Sequence, residues 1–144
     1  MARHAKTSTP GGLLLAPGAG ADRTSPTLVA IDEGVDLPVV RMDFPYRKEG
    51  RKAPDRAPKL IASVVEEAEA FCAAEGIEPA SLVLGGRSMG GRMCSMAVAE
   101  GLPAAGLVLL SYPLHPPGKP EKLRIEHLPQ LDLPVLLLAG TKDP

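Results

Sequence analysis

Residues 82–94 read Leu-Val-Leu-Gly-Gly-Arg-Ser-Met-Gly-Gly-Arg-Met-Cys. The stretch opens as a short apolar run, places two glycines on either side of Arg87-Ser88-Met89, and then turns polar and apolar at helical spacing. A run of this length bounded by glycines suits a buried strand, so Ser88 stands where a strand becomes a helix. Gly86-Arg87-Ser88-Met89-Gly90 is a G-x-S-x-G. A serine lifted clear of a sheet on so sharp a turn needs a strained backbone, and the reading therefore predicts positive φ at Ser88, at the carboxyl end of the central strand. Side chains two residues before or after it would collide with neighbouring backbone, which glycine at 86 and 90 avoids. The helix N-terminus that follows favours negative charge developing beside the serine. The plainer alternative is a glycine-rich turn that only packs a helix on a strand. The strand before, the helix after, and Gly85 and Gly91 favour the serine-presenting turn.

Outward from this turn, strands and helices alternate. Residues 1–11 read as a loose tail and 12–144 as one domain. Gly12–Ala16 is the first strand, stopped by Pro17 and Gly18. Ser25 and Pro26 open a helix that runs to Gly34. Leu37–Phe44 is the second strand, and Pro45–Pro58 is polar, basic and irregular. Leu60, Ile61, Val64, Val65, Ala68, Phe71 and Cys72 form one apolar stripe on a helix from about Ala57 to Glu75, ended by Gly76. Ser81–Gly85, Ala105–Ser111 and Leu133–Ala139 are the third to fifth strands, with a helix from Ser88 to about Glu100 and a proline-rich excursion from Tyr112 to Leu131. The strands are continuous apolar runs, so the expected fold class is α/β: a mostly parallel sheet of about five strands, in the order 2-1-3-4-5, with helices on both faces. Right-handed crossovers gather the loops that follow the strands on one edge of the sheet.

Three groups on that edge are candidates for chemistry. Ser88 is the candidate nucleophile. An oxyanion needs two backbone donors, for which the amide of Met89 and that of Ala19, in the turn Pro17-Gly18-Ala19-Gly20, are the candidates. A phosphate-cradling loop is the competing reading of that turn. Arg23 stands where a dinucleotide pattern needs glycine or alanine, and no Gly-Lys-Ser or Gly-Lys-Thr is present. Asp143, just past the fifth strand, is where an acid is expected in the chain order Ser, Asp, His; alone, it reads equally well as a turn aspartate before proline. The histidines are His4, His115 and His127. His115 follows the fourth strand and so faces the same edge, where it lines a pocket or packs against the neighbouring prolines rather than serving as base; His127 reads as a surface residue. Arg47, Lys48, Arg51, Lys52 and Arg56 form a basic loop, read as solvated, with attraction of an anion as the alternative.

Composition bounds the rest. The chain's 144 residues fit one domain; 44% hydrophobic and 23% charged residues allow a core and a wetted surface. A net charge of −1, without a charged block, argues against nucleic acid as a partner. No apolar run approaches the ~18 residues of a membrane span, and no apolar stretch follows the basic residues near Met1, so a cytoplasmic location without membrane contact is expected. Cys72 and Cys94, without metal-ligand spacing, read as reduced buried thiols, with a disulfide between them as the alternative. No metal and no cofactor are expected.

The segments LLLAPGAGADRTSPTLVAI, VVRMDFPYR, VLGGRSMGGRMCSMAVAEGLPAAGLVLLSYPLHPPGKP and VLLLAGTKDP resemble the α/β-hydrolase-like domain of the KANL/Tex type, related to dienelactone hydrolases. The resemblance runs from about residue 12 to Pro144. It implies Ser88 as nucleophile, Asp143 as acid and an oxyanion loop around Ala19, in a serine hydrolase acting on a small ester or related carbonyl compound. Two departures stand out. Pro17 occupies a position where many relatives carry histidine, and relatives continue past the acid loop to a further strand, helix and histidine-bearing segment. The chain therefore reads as a C-terminally truncated member with an impaired triad; the alternative is a non-catalytic binding or protein-interaction domain. Leu133, Val135, Leu136, Leu137 and Leu138 are expected to form an exposed apolar edge open to self-association.

Overall fold

The computed structural model describes residues 9–115, 118–119 and 121–140. Five parallel strands form one sheet in the order β2-β1-β3-β4-β5: β1 (Gly12–Ala16), β2 (Val39–Arg41), β3 (Leu82–Arg87), β4 (Gly106–Leu110) and β5 (Val135–Leu138). Four helices cross over between them: α1 (Pro26–Gly34), α2 (Pro45–Lys48), α3 (Ala57–Glu75) and α4 (Met89–Ala99). The expected α/β class and strand order are those observed.

The two faces of the sheet are covered differently. Side chains of a strand alternate between faces. Leu14 and Ala16 join Leu60, Val64, Met93 and Cys94 in the main core under α3 and α4. Leu13 and Leu15 meet Leu28 and Ile31 of α1 on the other side. β1 is buried along its whole length because both of its neighbours pair with it and helices cover it above and below. β5 is the opposite case. It pairs only with β4, and all four of its residues are exposed, Leu137 at 62%.

Local departures from the expected elements have physical reasons. The second strand is only three residues long, since β2 is an edge that pairs with β1 over Leu13–Leu15 alone. Within the stretch expected to be irregular, Pro45–Lys48 turns helically; Pro45 supplies the fixed φ of a first helical position. β3 runs to Arg87, two residues further than its apolar run, because Gly86 and Arg87 continue the ladder with Leu109 and Leu110. Ser25 occupies the N-cap of α1 without making a side-chain cap bond; its carbonyl takes the amide of Val29. Gly76 ends α3 in the left-handed region, at φ 64°. Cys72 and Cys94 are buried free thiols. Burial pushes the Cys94 thiol up to about 12, so it is a packing group and not a nucleophile.

Candidate active site

Ser88 sits between the last residue of β3 and the first of α4, with φ 53° and ψ −120°. Only Ser111, at the end of the adjacent β4, shares a positive φ among the described non-glycine residues. Both line one cavity of about 530 Å³ at the carboxyl edge of the sheet. The strain is held in place by the ladder: the Ser88 amide donates to the Leu110 carbonyl at 2.7 Å, and the Ser111 amide to the Leu138 carbonyl at 2.8 Å. Such strain persists where surrounding structure over-determines it.

The glycines do the work expected of them. A Cβ on Gly86 would lie 2.6 Å from the Ala16 carbonyl oxygen and 2.6 Å from the Gly91 nitrogen. One on Gly90 would press on the same Ala16 oxygen and lie 2.5 Å from the Pro17 carbonyl oxygen. The N-terminus of α4 is thereby packed directly on the end of β1. That contact brings the turn after β1 to the serine, and a Cβ on Gly18 would stand 3.7 Å from Ser88 Cβ.

Ala19, Ser88 and Met89 all line the cavity. Three of the four residues singled out from the sequence are thus brought together; Asp143 lies outside the described residues. Met89 is the first residue of α4, so its amide has no partner within the helix. The turn carrying Ala19 is fixed from a direction the sequence does not advertise: buried Tyr46 donates its hydroxyl to the Ala19 carbonyl at 2.7 Å and stacks on Phe44, with ring centroids 6.2 Å apart. Tyr46 lies in the polar stretch read as irregular, and no periodicity marks it.

His115 lines the cavity as expected. His127 is not a free surface residue. Its Nε2 is 2.7 Å from the hydroxyl of fully buried Ser95 on α4, and its ring lies 6.5 Å from that of Tyr112. Ser95 also donates to the Arg92 carbonyl at 2.8 Å, and Tyr112 donates to the Arg124 carbonyl at 2.7 Å. The His127–Ser95 contact docks this part of the excursion onto α4, and the Tyr112 bond closes the excursion on itself. Burial holds His127 below the ordinary imidazole range, with the Arg92 charge adding to the effect. Three of the five cations of the basic loop pair with acids: Arg47 with Asp22 at 3.7 Å, Lys48 with Glu67 at 3.0 Å and Arg51 with Glu49 at 2.8 Å. Asp55, on the cavity wall, is held by Arg51 at 3.2 Å and Lys59 at 3.6 Å. Among the described residues no cluster of acids, histidines or cysteines has the geometry of a metal site, and no helix is long and apolar enough to cross a membrane.

Solved structures with this arrangement of strands and helices are known. A dienelactone hydrolase from Anabaena variabilis superposes with a TM-score of 0.72 at 21% identity, over 95% of this chain and 65% of that one. The N-formylmaleamic acid deformylase of Pseudomonas putida gives 0.55 at 21% identity, over 76% of this chain and 42% of that one. The thioesterase RedJ of the prodiginine pathway in Streptomyces coelicolor gives 0.54 at 19%, over 73% and 44%. The chain spans less than two thirds of the length of each. The family model described as "Alpha/beta hydrolase domain" matches residues 10–144. With nearly the whole chain inside that match, this protein belongs to the α/β-hydrolase family.

Proposed function

We propose that this chain is a serine hydrolase of carbonyl compounds, with Ser88 as nucleophile and a small ester as the substrate type. The observation that carries the reading is the strained Ser88 at the β3–α4 turn, opening into a cavity that Ala19 and Met89 also line. In this reading Ser88 Oγ adds to the substrate carbonyl while its proton passes to a base. The oxyanion of the tetrahedral intermediate is held by the amides of Ala19 and Met89. Collapse expels the alcohol, which takes up the proton, and water then cleaves the acyl-serine by the same steps in reverse roles. Asp143 is the proposed acid that orients the base. The named solved structures support the reaction class, since their names describe opening a lactone, removing a formyl group and cleaving a thioester.

A finer point concerns rate. In the chain order Ser, Asp, His the base follows the acid, whereas the histidines of these 144 residues are at 4, 115 and 127. We therefore expect these residues by themselves to turn over slowly, because general-base assistance contributes roughly two to four orders of magnitude. A fluorophosphonate probe tests the whole reading. It is expected to label the parent slowly and Ser88→Ala not at all, while His115→Ala labels at the parent rate. Labelling that survives Ser88→Ala places the nucleophile elsewhere.

A further inference from the structure

We propose that Arg92, backed by Arg124, is a binding site for an acidic group on the substrate, so that the cavity takes short acyl compounds carrying a carboxylate about one helical turn from the scissile carbonyl. This rests on the reading of Ser88 as the reacting residue and adds the substrate's charge to it.

The placement comes from helix geometry. Ser88 caps α4 and Arg92 lies four residues on, so the two share a face at a separation of roughly 6 Å. Both line the 530 Å³ cavity, and the excursion after β4 contributes Arg124 to the same wall.

The charge is the second observation. Arg47, Lys48 and Arg51 of the basic loop are paired with acids, and Asp55, the one acid lining the cavity among the described residues, is already engaged by Arg51 and Lys59. Arg92 and Arg124 form no ion pair among the described residues. Arg92 is half-buried, and its Nε has no hydrogen-bond partner among the described residues. Burial, and then the neighbouring Arg124 charge, push the Arg92 guanidinium below its ordinary range; Glu126 and Tyr112 offset this only in part. Two neighbouring guanidiniums that no ion pair among the described residues neutralises, one of them half-desolvated and only partly offset by Glu126, destabilise the empty protein. An incoming carboxylate satisfies both and gains charge-assisted bonds in a partly dry cavity. A purely structural arginine in this position has no such reason to lack an ion pair among the described residues beside another.

The test is made on the Ser88→Ala protein, so that binding is read without turnover. Monomethyl glutarate, an anion, and dimethyl glutarate, its neutral counterpart, are titrated and followed by NMR. The anion is expected to bind at least about tenfold more tightly. Arg92→Met is expected to lose roughly ten- to a hundredfold of that affinity, in keeping with a hydrogen bond to a charged group, and to leave the neutral ester unchanged. Its melting temperature is expected to be no lower than the parent's, because a half-buried charge has been removed; a structural arginine would show the reverse. Arg124→Met, altering a residue of the excursion rather than of α4, gives the same loss to a smaller degree and serves if Arg92→Met does not fold. Equal affinity for the two esters in the parent overturns the proposal, as does an unchanged preference in whichever of these variants folds. The result is independent of the labelling experiment: probe labelling that survives Ser88→Ala sinks the nucleophile and leaves the anion site standing, and equal ester affinities do the opposite.

Discussion

Gly90→Ala isolates the contact on which the site depends. In most exposed helix positions this change stabilises by up to about 1 kcal/mol, since alanine is the better helix former. Here the added methyl would press on the Ala16 carbonyl oxygen and stand 2.5 Å from both the Ala16 carbonyl carbon and the Pro17 oxygen. Ordinary contact needs roughly 3.5 Å, so α4 or β1 must retreat by about 1 Å. Neither yields easily. β1 is held in ladders on both sides, α4 packs on β3 and α3, and the obstacle is backbone rather than a flexible side chain. Overpacking of this kind costs about 3 kcal/mol, which leaves a net loss of about 2 kcal/mol after the helix gain. For a domain of this size that lowers the melting temperature by roughly 5–10 °C. Gly34→Ala is the matched control, because a methyl there meets nothing within 4 Å and needs no left-handed backbone; it should melt no lower than the parent and up to about 4 °C higher. The same retreat moves the Gly18–Ala19 turn away from Ser88, so the rate of fluorophosphonate labelling at 20 °C should fall further than the folded fraction does. If Gly90→Ala melts with the parent and labels at the parent rate, the α4–β1 contact neither holds the fold nor positions the turn.

Two further outcomes are expected. Tyr46→Phe keeps the stack on Phe44 but removes the 2.7 Å bond to the Ala19 carbonyl; it should cost about 1 kcal/mol in denaturant unfolding and slow labelling of Ser88. His127 has a folded pKa below its unfolded value of 6.5, so as pH falls through 6.5 the unfolded chain takes up the proton first and stability drops. The parent should therefore melt lower at about pH 5.5 than at about pH 7.5, and His127→Asn, compared by the same calorimetric scan, should lose much of that difference.

The carboxyl-edge loops and the strand order were legible because both follow from patterns of short range. Apolar runs of strand length alternating with one 3.6-residue stripe leave few ways to pack other than a parallel sheet covered on both faces. Ser88 was legible for the same reason, since the glycines at 86 and 90 state the crowding around it before any coordinates do. That the turn of Ala19 reaches the same cavity followed from chain order. What sequence reading missed lies in contacts between segments distant along the chain. Tyr46 reaches Ala19 across 27 residues, and His127 reaches Ser95 across 32. Neither segment has a periodicity of its own, so nothing local distinguishes a buried anchor from a polar loop residue. Arg92 is the clearest case. By itself it is an arginine on a helix, and its half-buried state without an ion pair among the described residues depends on which acids the fold delivers to Arg47, Lys48 and Arg51 and on where the excursion lays Arg124. The sequence alone determines the sheet, the turn and the serine, because those depend on backbone sterics and burial period. Which charges face the serine is decided only by the tertiary structure, because electrostatic pairing depends on distances between side chains that no spacing in the chain encodes.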